Sequence, residues 1–438
     1  LESKITLIII INFKKIIRYF FSMGRNNMPV FLLAAGESSR MFPISHNKHK
    51  THIKLLGKSI LQHVIESFVN NNFKDIFVIS SPSHNLKKVL DNNILNKINI
   101  IYQEKPLGVG HALSLIKDYV SDLFFLANGY HLMTNHLKEI LMNIKEETLF
   151  VKGTNEPEKY GMVKVKDNVI IDIVEKPSKW DEHPLRVIGF YILSKDFLNR
   201  YLLKEEIHKN HYSFEESIKK KAMREGISFV KYEFETPSLK YPWDYVKYFE
   251  YLISHLYPSN KIYLLENAEI SEYAYLDTKN GAIIIDNNAK IKEGAIIRGP
   301  AYIGKNTIIG NHTLIRNSNI ENDSLIGYNS EIVRSILQGN AKIHAGYIGD
   351  SIIDRDFRCG FGFVTANRRL DNKKIKVMIK NKLTEYNGKG LGIICGENVA
   401  IGSNSTSMPG TIIMPNTIIY PNVRFKGVVE GIVKTNNF

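Results

Sequence analysis

From Pro29 onward, short apolar runs alternate with stretches whose apolar residues recur at helical spacing. Val30–Leu33, Ile76–Ser80, Ile98–Tyr102 and Leu123–Ala127 are such runs, each bounded by turn residues, and Ile60–Val69 carries the helical spacing between two of them. Strand, helix and strand in alternation predict a mostly parallel sheet covered on both faces. Ligands of such sheets bind beyond the carboxyl ends of the strands, so the loops that follow these runs are where chemistry is expected.

After Tyr257-Pro258-Ser259 the period changes. Ile285, Ile291, Ile297, Ile303, Ile309 and Ile315 recur every six residues. Ile320, Ile326 and Ile332 resume the beat after one five-residue step, and Cys395, Ile401, Ser407, Ile413 and Ile419 return to it late. Neither a helix nor an ordinary strand has period six. A β-helix coil does, because each short face repeats one inward position and successive coils stack those side chains. Gly, Asn and Asp fill many positions beside the isoleucines, as tight corners require. Residues 366–390 break the beat and read as a loop projecting from the coil, a place where binding groups are often carried.

The pattern therefore divides the chain into an atypical N-terminal extension (1–27), an α/β domain (28–257) and a left-handed β-helix (258–438). In the extension, the run from Ile5 to Ile11 is shorter than the roughly 20 apolar residues a bilayer span needs. Basic residues follow it (Lys14, Lys15, Arg18) without a small-residue cleavage site, so no stable membrane anchor is expected and Met23 or Met28 reads as the natural start. The net charge of +14 suits anionic partners such as nucleoside triphosphates, sugar phosphates and coenzyme A. No nucleic-acid partner is expected, because no aromatic-basic module or recognition-helix pattern accompanies the charge. The two cysteines, Cys359 and Cys395, give neither a disulfide framework nor a zinc motif, which points to a cytoplasmic protein. His46, His49 and His52 are spaced like ligands but lack acidic support, and the tyrosines and phenylalanines read mostly as core.

The first strand runs into Leu33-Ala34-Ala35-Gly36-Glu37-Ser38-Ser39-Arg40-Met41. Small residues let backbone N–H groups approach an anion, and Arg40 offers a planar guanidinium to phosphate oxygens. With Lys50 and Gly57-Lys58-Ser59 downstream, this stretch resembles the signature of sugar-1-phosphate nucleotidyltransferases, and its GESSR form resembles the related molybdopterin-guanine-dinucleotide type. The resemblance continues through Gln103 to Ala112, similar to the nucleobase loop of that family. Tyr160-Gly161 and Val174-Glu175-Lys176-Pro177 look like its sugar-site motifs, and Tyr241-Pro242-Trp243-Asp244 looks like a closing segment. It spans about residues 28–255 in family order and implies a Rossmann-like nucleotidyltransferase domain. It also implies that Leu33, Ala34, Ala35, Gly36, Gln103 and Gly108 bind the nucleotide, Gly161, Glu175 and Lys176 the sugar, and that Arg40 and Lys50 are the catalytic cations. The implied reaction is attack of a sugar-1-phosphate oxygen on the α-phosphorus of a nucleoside triphosphate with Mg²⁺, in which gathering negative charge must be neutralised.

The chain departs from the family pattern after the strand Leu123–Ala127, where a Gly-Asp usually supplies a metal carboxylate. Here Asn128-Gly129-Tyr130 stands, and a phenol, whose ordinary pKa is about 10, is a poor ligand for Mg²⁺. Ser38, Val109 and Val187 are further departures. Asp244 is the carboxylate left as a metal ligand. Asp122, the nearest in sequence, precedes its strand and belongs at the wrong end of the sheet.

In the β-helix, Glu331 to Ser335, His344-Ala345-Gly346-Tyr347-Ile348-Gly349-Asp350 and Gly360 to Asn367 stand in order. They resemble the acetyltransferase part of bifunctional UDP-N-acetylglucosamine pyrophosphorylase/glucosamine-1-phosphate acetyltransferases. That resemblance makes His344 the general base, Tyr347 and Asn367 sugar-positioning groups, and Arg316 and Arg334 phosphate-holding groups, with acetyl-CoA as acyl donor. The chemistry asks for a base: an ammonium must lose a proton before it attacks a thioester, and imidazole ordinarily titrates near neutrality. Arg358 and Phe361 stand where that family usually has Asn and Ala. The projecting loop brings Arg368, Arg369, Lys373 and Lys374 toward coenzyme A phosphates in this reading. Members of the superfamily usually form homotrimers, so a homotrimer is expected. The expected function is a sugar-1-phosphate nucleotidylyltransferase making an NDP-sugar, UDP-N-acetylglucosamine favoured, with acetyl-CoA-dependent acetylation as a second activity. The alternatives are a nucleotide-sugar-binding subunit with a decayed nucleotidyl site and an acyltransferase alone.

Overall fold

The computed structural model describes residues 28–180, 183–202 and 213–434; the stretch 1–27, expected to be foreign to the fold, lies outside the described residues. The chain forms two compact units. The first holds the described residues up to Gly36 together with Ile60–Thr236, and the second holds Glu37–Ser59 together with Pro237 onward.

The first unit is a twisted sheet with helices. Its strands are β1 (Val30–Ala34), β2 (Ile76–Ser80), β3 (Asn99–Tyr102), β4 (Leu123–Asn128), β5 (Thr148–Gly153), β6 (Gly161–Lys166), β7 (Val169–Glu175), β8 (Leu185–Ser194) and β9 (Ser228–Lys231). The main path runs β9-β5-β8-β4-β1-β2-β3, with β6 and β7 as a side hairpin on β8. Pairs β4–β1, β1–β2 and β2–β3 are parallel, while β8 is antiparallel to β4 and β5. The parallel strands read as near-continuous apolar runs because both faces are covered, and β2 is buried along its whole length. Helix α1 (Ile60–Asn70) buries Ile60, Leu61, Val64, Ile65 and Phe68, as its helical spacing predicts. Strand order reverses direction beside β1, since β2 follows on one side and β4 on the other. The crevice beyond the carboxyl ends of β1 and β4 is thus the switch point where such sheets bind ligands.

The second unit is a left-handed parallel β-helix with the 37–59 stretch and helix α4 (Asp244–Leu256) packed in the same unit. Its coils stack in parallel register at 16 to 18 residues per turn: Ile291 lies over Ile309, Ile309 over Ile326, Ile326 over Ile343 and Ile343 over Cys359. All the period-six residues from Ile285 to Ile332 and from Cys395 to Ile419 are buried. Between the two sets the beat continues through Leu337, Ile343, Ile348, Ile353 and Cys359, all in the same core, with five-residue steps where a corner is shortened. One row of corners is occupied by Asn288, Asn306, Asp323, Asn340, Asp356, Asn398 and Asn416, each at positive φ. Asn and Asp tolerate that conformation better than other non-glycine residues. Their amides bond from coil to coil, Asn288 to Asn306 at 3.1 Å, Asn306 to Asp323 at 2.9 Å and Asn398 to Asn416 at 2.8 Å.

The interruption at 366–390 is a β-hairpin of Ile375–Ile379 with Lys382–Tyr386. On it Lys374 pairs with Glu385, while Arg369 at its base pairs with Asp371. Among the described residues no helix is long and apolar enough to cross a membrane.

Candidate functional site

In the first unit the turn after β1 and the turn after β4 meet at the switch point, where the Gly129 N–H donates to the Leu33 carbonyl at 2.9 Å. Ala34 and Ala35 are buried and Gly36 is exposed. A Cβ at Gly36 would meet nothing within 4 Å, so neither packing nor backbone strain requires glycine there; the open space is what an approaching phosphate needs. Tyr130 occupies the position of the family carboxylate, with its ring 4.5 Å from that of His131. Burial first, then the nearby Glu215, Tyr130 and Glu175, hold the Tyr191 phenol well above its ordinary pKa. Burial likewise raises the Glu215 carboxyl, and Glu175 adds to it. Glu215, on α3 (Ser213–Glu225), was not singled out in the sequence, because nothing in its local pattern marks it as facing these residues.

Gln103 is buried, and its side-chain amide donates to the Gly108 carbonyl at 3.0 Å and lies 2.9 Å from His111 Nδ1. That bond closes the loop of residues 103–108 onto the start of α2 (Val109–Ser114), with Gly108 at φ +98°. The two motifs expected at the sugar come together on the β6–β7 hairpin, where Gly161 pairs with Glu175 in register. A Cβ on Gly161 would sit 2.8 Å from Glu175 Oε2, so glycine leaves room for that carboxylate. Lys176 Nζ lies 3.1 Å from Glu175 Oε1.

Arg40, Lys50 and Asp244 are assembled in the second unit. Lys50 donates its ammonium to the Leu239 carbonyl at 3.0 Å, its N–H to Ser38 Oγ at 3.0 Å, and accepts at its carbonyl from Tyr245 Oη at 2.9 Å. Burial pulls the Lys50 ammonium down to about 8; Asp244 opposes the fall, and Arg40 and Lys240 add to it. Arg40 itself is exposed. Asp244 Oδ2 accepts from the N–H groups of Lys240 (2.7 Å) and Tyr241 (2.9 Å), and burial raises its carboxyl. Its carboxylate thus caps a turn and faces Lys50. Among the described residues no group of three or more His, Cys, Asp or Glu is placed to hold a metal. Asp244, the carboxylate expected as a metal ligand, is thus engaged by two backbone N–H groups. Of the three histidines, His49 Nδ1 bonds Thr51 Oγ1 at 2.8 Å and caps the short turn Lys50–His52.

On the β-helix, Arg334 and Asn367 converge on Asp350, and Tyr347 joins them through Asn367. Arg334 makes a two-toothed pair with Asp350 (2.5 and 2.8 Å), and Asn367 Nδ2 bonds both Asp350 Oδ2 (2.5 Å) and Tyr347 Oη (3.0 Å). Asp350 is the hub, a residue quoted within its motif but given no role by the sequence. Arg316 pairs with Glu331 at 3.0 Å. His344 stands across a corner from this network, following the strand Lys342–Ile343 of a different face. It is exposed, with Tyr328 and Phe361 edge-on at 6.3 and 6.1 Å between ring centres. It borders an apolar groove of about 640 Å³ lined by Tyr328, Arg358, Ile418 and Tyr420.

Comparison with known proteins covers nearly the whole chain. Residues 30–244 match the nucleotidyl transferase family, and 282–317 match the bacterial transferase hexapeptide family of six repeats. "Bifunctional protein GlmU" of Methanocaldococcus jannaschii is 31% identical over 404 residues, covering 87% of this chain and 91% of its own. The protein of that name in Methanococcus maripaludis is 32% identical over 400 residues, covering 88% and 92%. A bifunctional sugar-1-phosphate nucleotidylyltransferase/acetyltransferase of Sulfurisphaera tokodaii is 30% identical over 399 residues, covering 88% and 94%. With a nucleotidyltransferase sheet, a hexapeptide β-helix and relatives at 30–32% identity that cover 87–88% of the chain, the chain belongs to the family of bifunctional sugar-1-phosphate nucleotidylyltransferase/acetyltransferases.

Proposed function

We propose that this protein makes an NDP-sugar, UDP-N-acetylglucosamine favoured, from a nucleoside triphosphate and a sugar-1-phosphate, and acetylates the amino-sugar phosphate with acetyl-CoA. The observation that carries the first activity is Lys50: a cation held at both ends of its residue, close to Arg40, on the loop that follows the Gly36 turn. In the reaction a sugar-1-phosphate oxygen forms a bond to the α-phosphorus and the bond to the bridging oxygen of pyrophosphate breaks. Arg40 and Lys50 would carry the charge gathering on the phosphates. Leu33, Ala34, Ala35 and Gly36 would offer backbone to them, Gln103 and Gly108 would frame the base, and Gly161, Glu175 and Lys176 would hold the sugar. Mg²⁺ enters in this reading as part of the substrate, the magnesium complex of the triphosphate.

For the second activity, the amine attacks the thioester carbonyl, His344 takes the proton and the thiol of coenzyme A leaves. Tyr347 and Asn367 would position the sugar, and Arg316 and Arg334 its phosphate. Leu325, Tyr328, Ile418 and Tyr420 leave one β-helix face apolar and exposed, which supports a homotrimer as the working form; the cytoplasm is the compartment we propose for it. Tyr130 favours a second reading, a subunit that binds nucleotide sugars without turning them over. Pyrophosphate release lost in Lys50→Ala, and thiol release from acetyl-CoA lost in His344→Ala, are the expected results. A parent chain that binds UDP-sugars and releases no pyrophosphate would favour the second reading.

A further inference from the structure

The 37–59 stretch falls within the segment matching the nucleotidyl transferase family, yet it packs in the same unit as the β-helix. The β-helix meets it with three polar side chains stacked on consecutive coils. Ile320 lies over Leu337 and Leu337 over Ile353, so the residues that follow them, Glu321, Gln338 and Asp354, form one row. All three are buried. Asp354 takes the Lys48 ammonium on both oxygens at 2.7 Å. Gln338 bonds the backbone of Lys54 through both ends of its amide, accepting from the N–H at 3.0 Å and donating to the carbonyl at 2.9 Å. Glu321 accepts the Gly57 N–H at 3.3 Å, and its neighbour Asn319 accepts the Leu56 N–H at 2.9 Å. The approach at the far end leaves no space for a side chain: a Cβ on Gly57, at φ +81°, would fall 2.5 Å from Tyr302 Oη.

The stretch so held has little regular structure of its own, only two short turns and a hairpin of two-residue strands. A segment of this kind is ordered by what it packs against, and displacements of about 1 Å in a charge-positioning loop cost on the order of 100-fold in rate. We propose that Glu321, Gln338 and Asp354, side chains of the hexapeptide half, are positioning residues for nucleotidyl transfer, holding the 37–59 stretch and with it Arg40 and Lys50. The role in catalysis rests on the transferase reading above; the holding role does not.

The test uses the full chain with Gln338→Ala and Asp354→Asn. Hydrogen exchange of residues 37–52, pyrophosphate release with separate kcat and KM, and thiol release from acetyl-CoA are compared with the parent. Exchange in 37–52, which Gln338 does not touch, is expected to speed up roughly tenfold or more. The kcat for pyrophosphate release is expected to fall by a similar factor, with KM for the sugar phosphate and thiol release within about twofold. Gln338→Ala removes no charge and carries the test where Asp354→Asn fails to fold. Folded variants with parental exchange and parental kcat would overturn the proposal. A parent that releases no pyrophosphate would remove the transferase reading alone, and exchange in 37–52 would still decide whether the row holds the loop.

Discussion

Glu321 makes the pH dependence of the β-helix measurable. Its side chain is fully buried; Oε1 accepts from Asn319 Nδ2 at 2.9 Å and from the Gly57 N–H, while Oε2 has no hydrogen-bond partner among the described residues. Burial raises the carboxyl from 4.5 to about 7, with Asn319, Gly57 and Lys54 opposing the rise and Asp286 adding to it. A folded-state pKa above the unfolded value means that Glu321 supports the fold fully below pH 4.5 and that this support is lost as pH rises through 7. The difference between the two pKa values corresponds to about 3 kcal/mol at high pH. Glu321→Gln keeps the shape and cannot ionise. At pH 5 variant and parent should unfold at similar temperatures. At pH 9 the variant should be the more stable by about 3 kcal/mol, or roughly 6–12 °C in Tm for a unit of this size. Thermal unfolding followed by far-ultraviolet circular dichroism at pH 5, 7 and 9 measures this. A gap between variant and parent that does not change with pH would refute the reasoning, because it would mean that Glu321 ionises as easily folded as unfolded.

Three further outcomes follow from particular contacts. With Lys50 titrating at about 8, kcat/KM for pyrophosphate release should fall above that pH as the ammonium is lost, and Lys50→Arg should move the alkaline fall up by more than roughly two pH units. Gly161→Ala pushes a methyl against Glu175 Oε2, so KM for the sugar phosphate should rise roughly fivefold or more, about 1 kcal/mol of binding, with Tm unchanged. Asn340, at φ +60° with its amide on Asp356 Oδ1 at 2.7 Å, is a rung of the corner ladder. Asn340→Ala forces alanine into the left-handed region and deletes the bond, a loss of about 2 kcal/mol that calorimetry should register as a Tm lower by about 4–8 °C.

Much of the fold was legible because it rests on local repetition. Strands Ile76–Ser80 and Leu123–Asn128 and helix Ile60–Asn70 lie where apolar runs and helical spacing put them. The isoleucines of the β-helix are buried because period six is the geometry of a coil face. Coils between Leu337 and Cys359 were harder to read, since five-residue steps are mixed with six there and Leu and Cys replace Ile. The row Glu321, Gln338, Asp354 was invisible for the same reason: its spacings of 17 and 16 residues emerge only once the coil register is known. The identities of Arg40, Lys50 and Glu175 stood out through motif resemblance. The half-buried setting of Lys50 and its bond to Leu239, a residue far along the chain, did not, because long-range packing leaves no local pattern. Asp350 was quoted in its motif without a role, since its partners Arg334 and Asn367 lie on neighbouring coils.

The central claim is that one chain carries both activities, and a single reaction followed by phosphorus NMR tests it most directly. The full chain is supplied with Mg²⁺, UTP, glucosamine-1-phosphate and acetyl-CoA, and the products are identified by mass spectrometry. The account predicts pyrophosphate and UDP-N-acetylglucosamine, with pyrophosphate lost in Lys50→Ala and the acetyl group lost in His344→Ala. Unchanged UTP and unacetylated sugar phosphate, in protein that still binds UDP-N-acetylglucosamine, would contradict it.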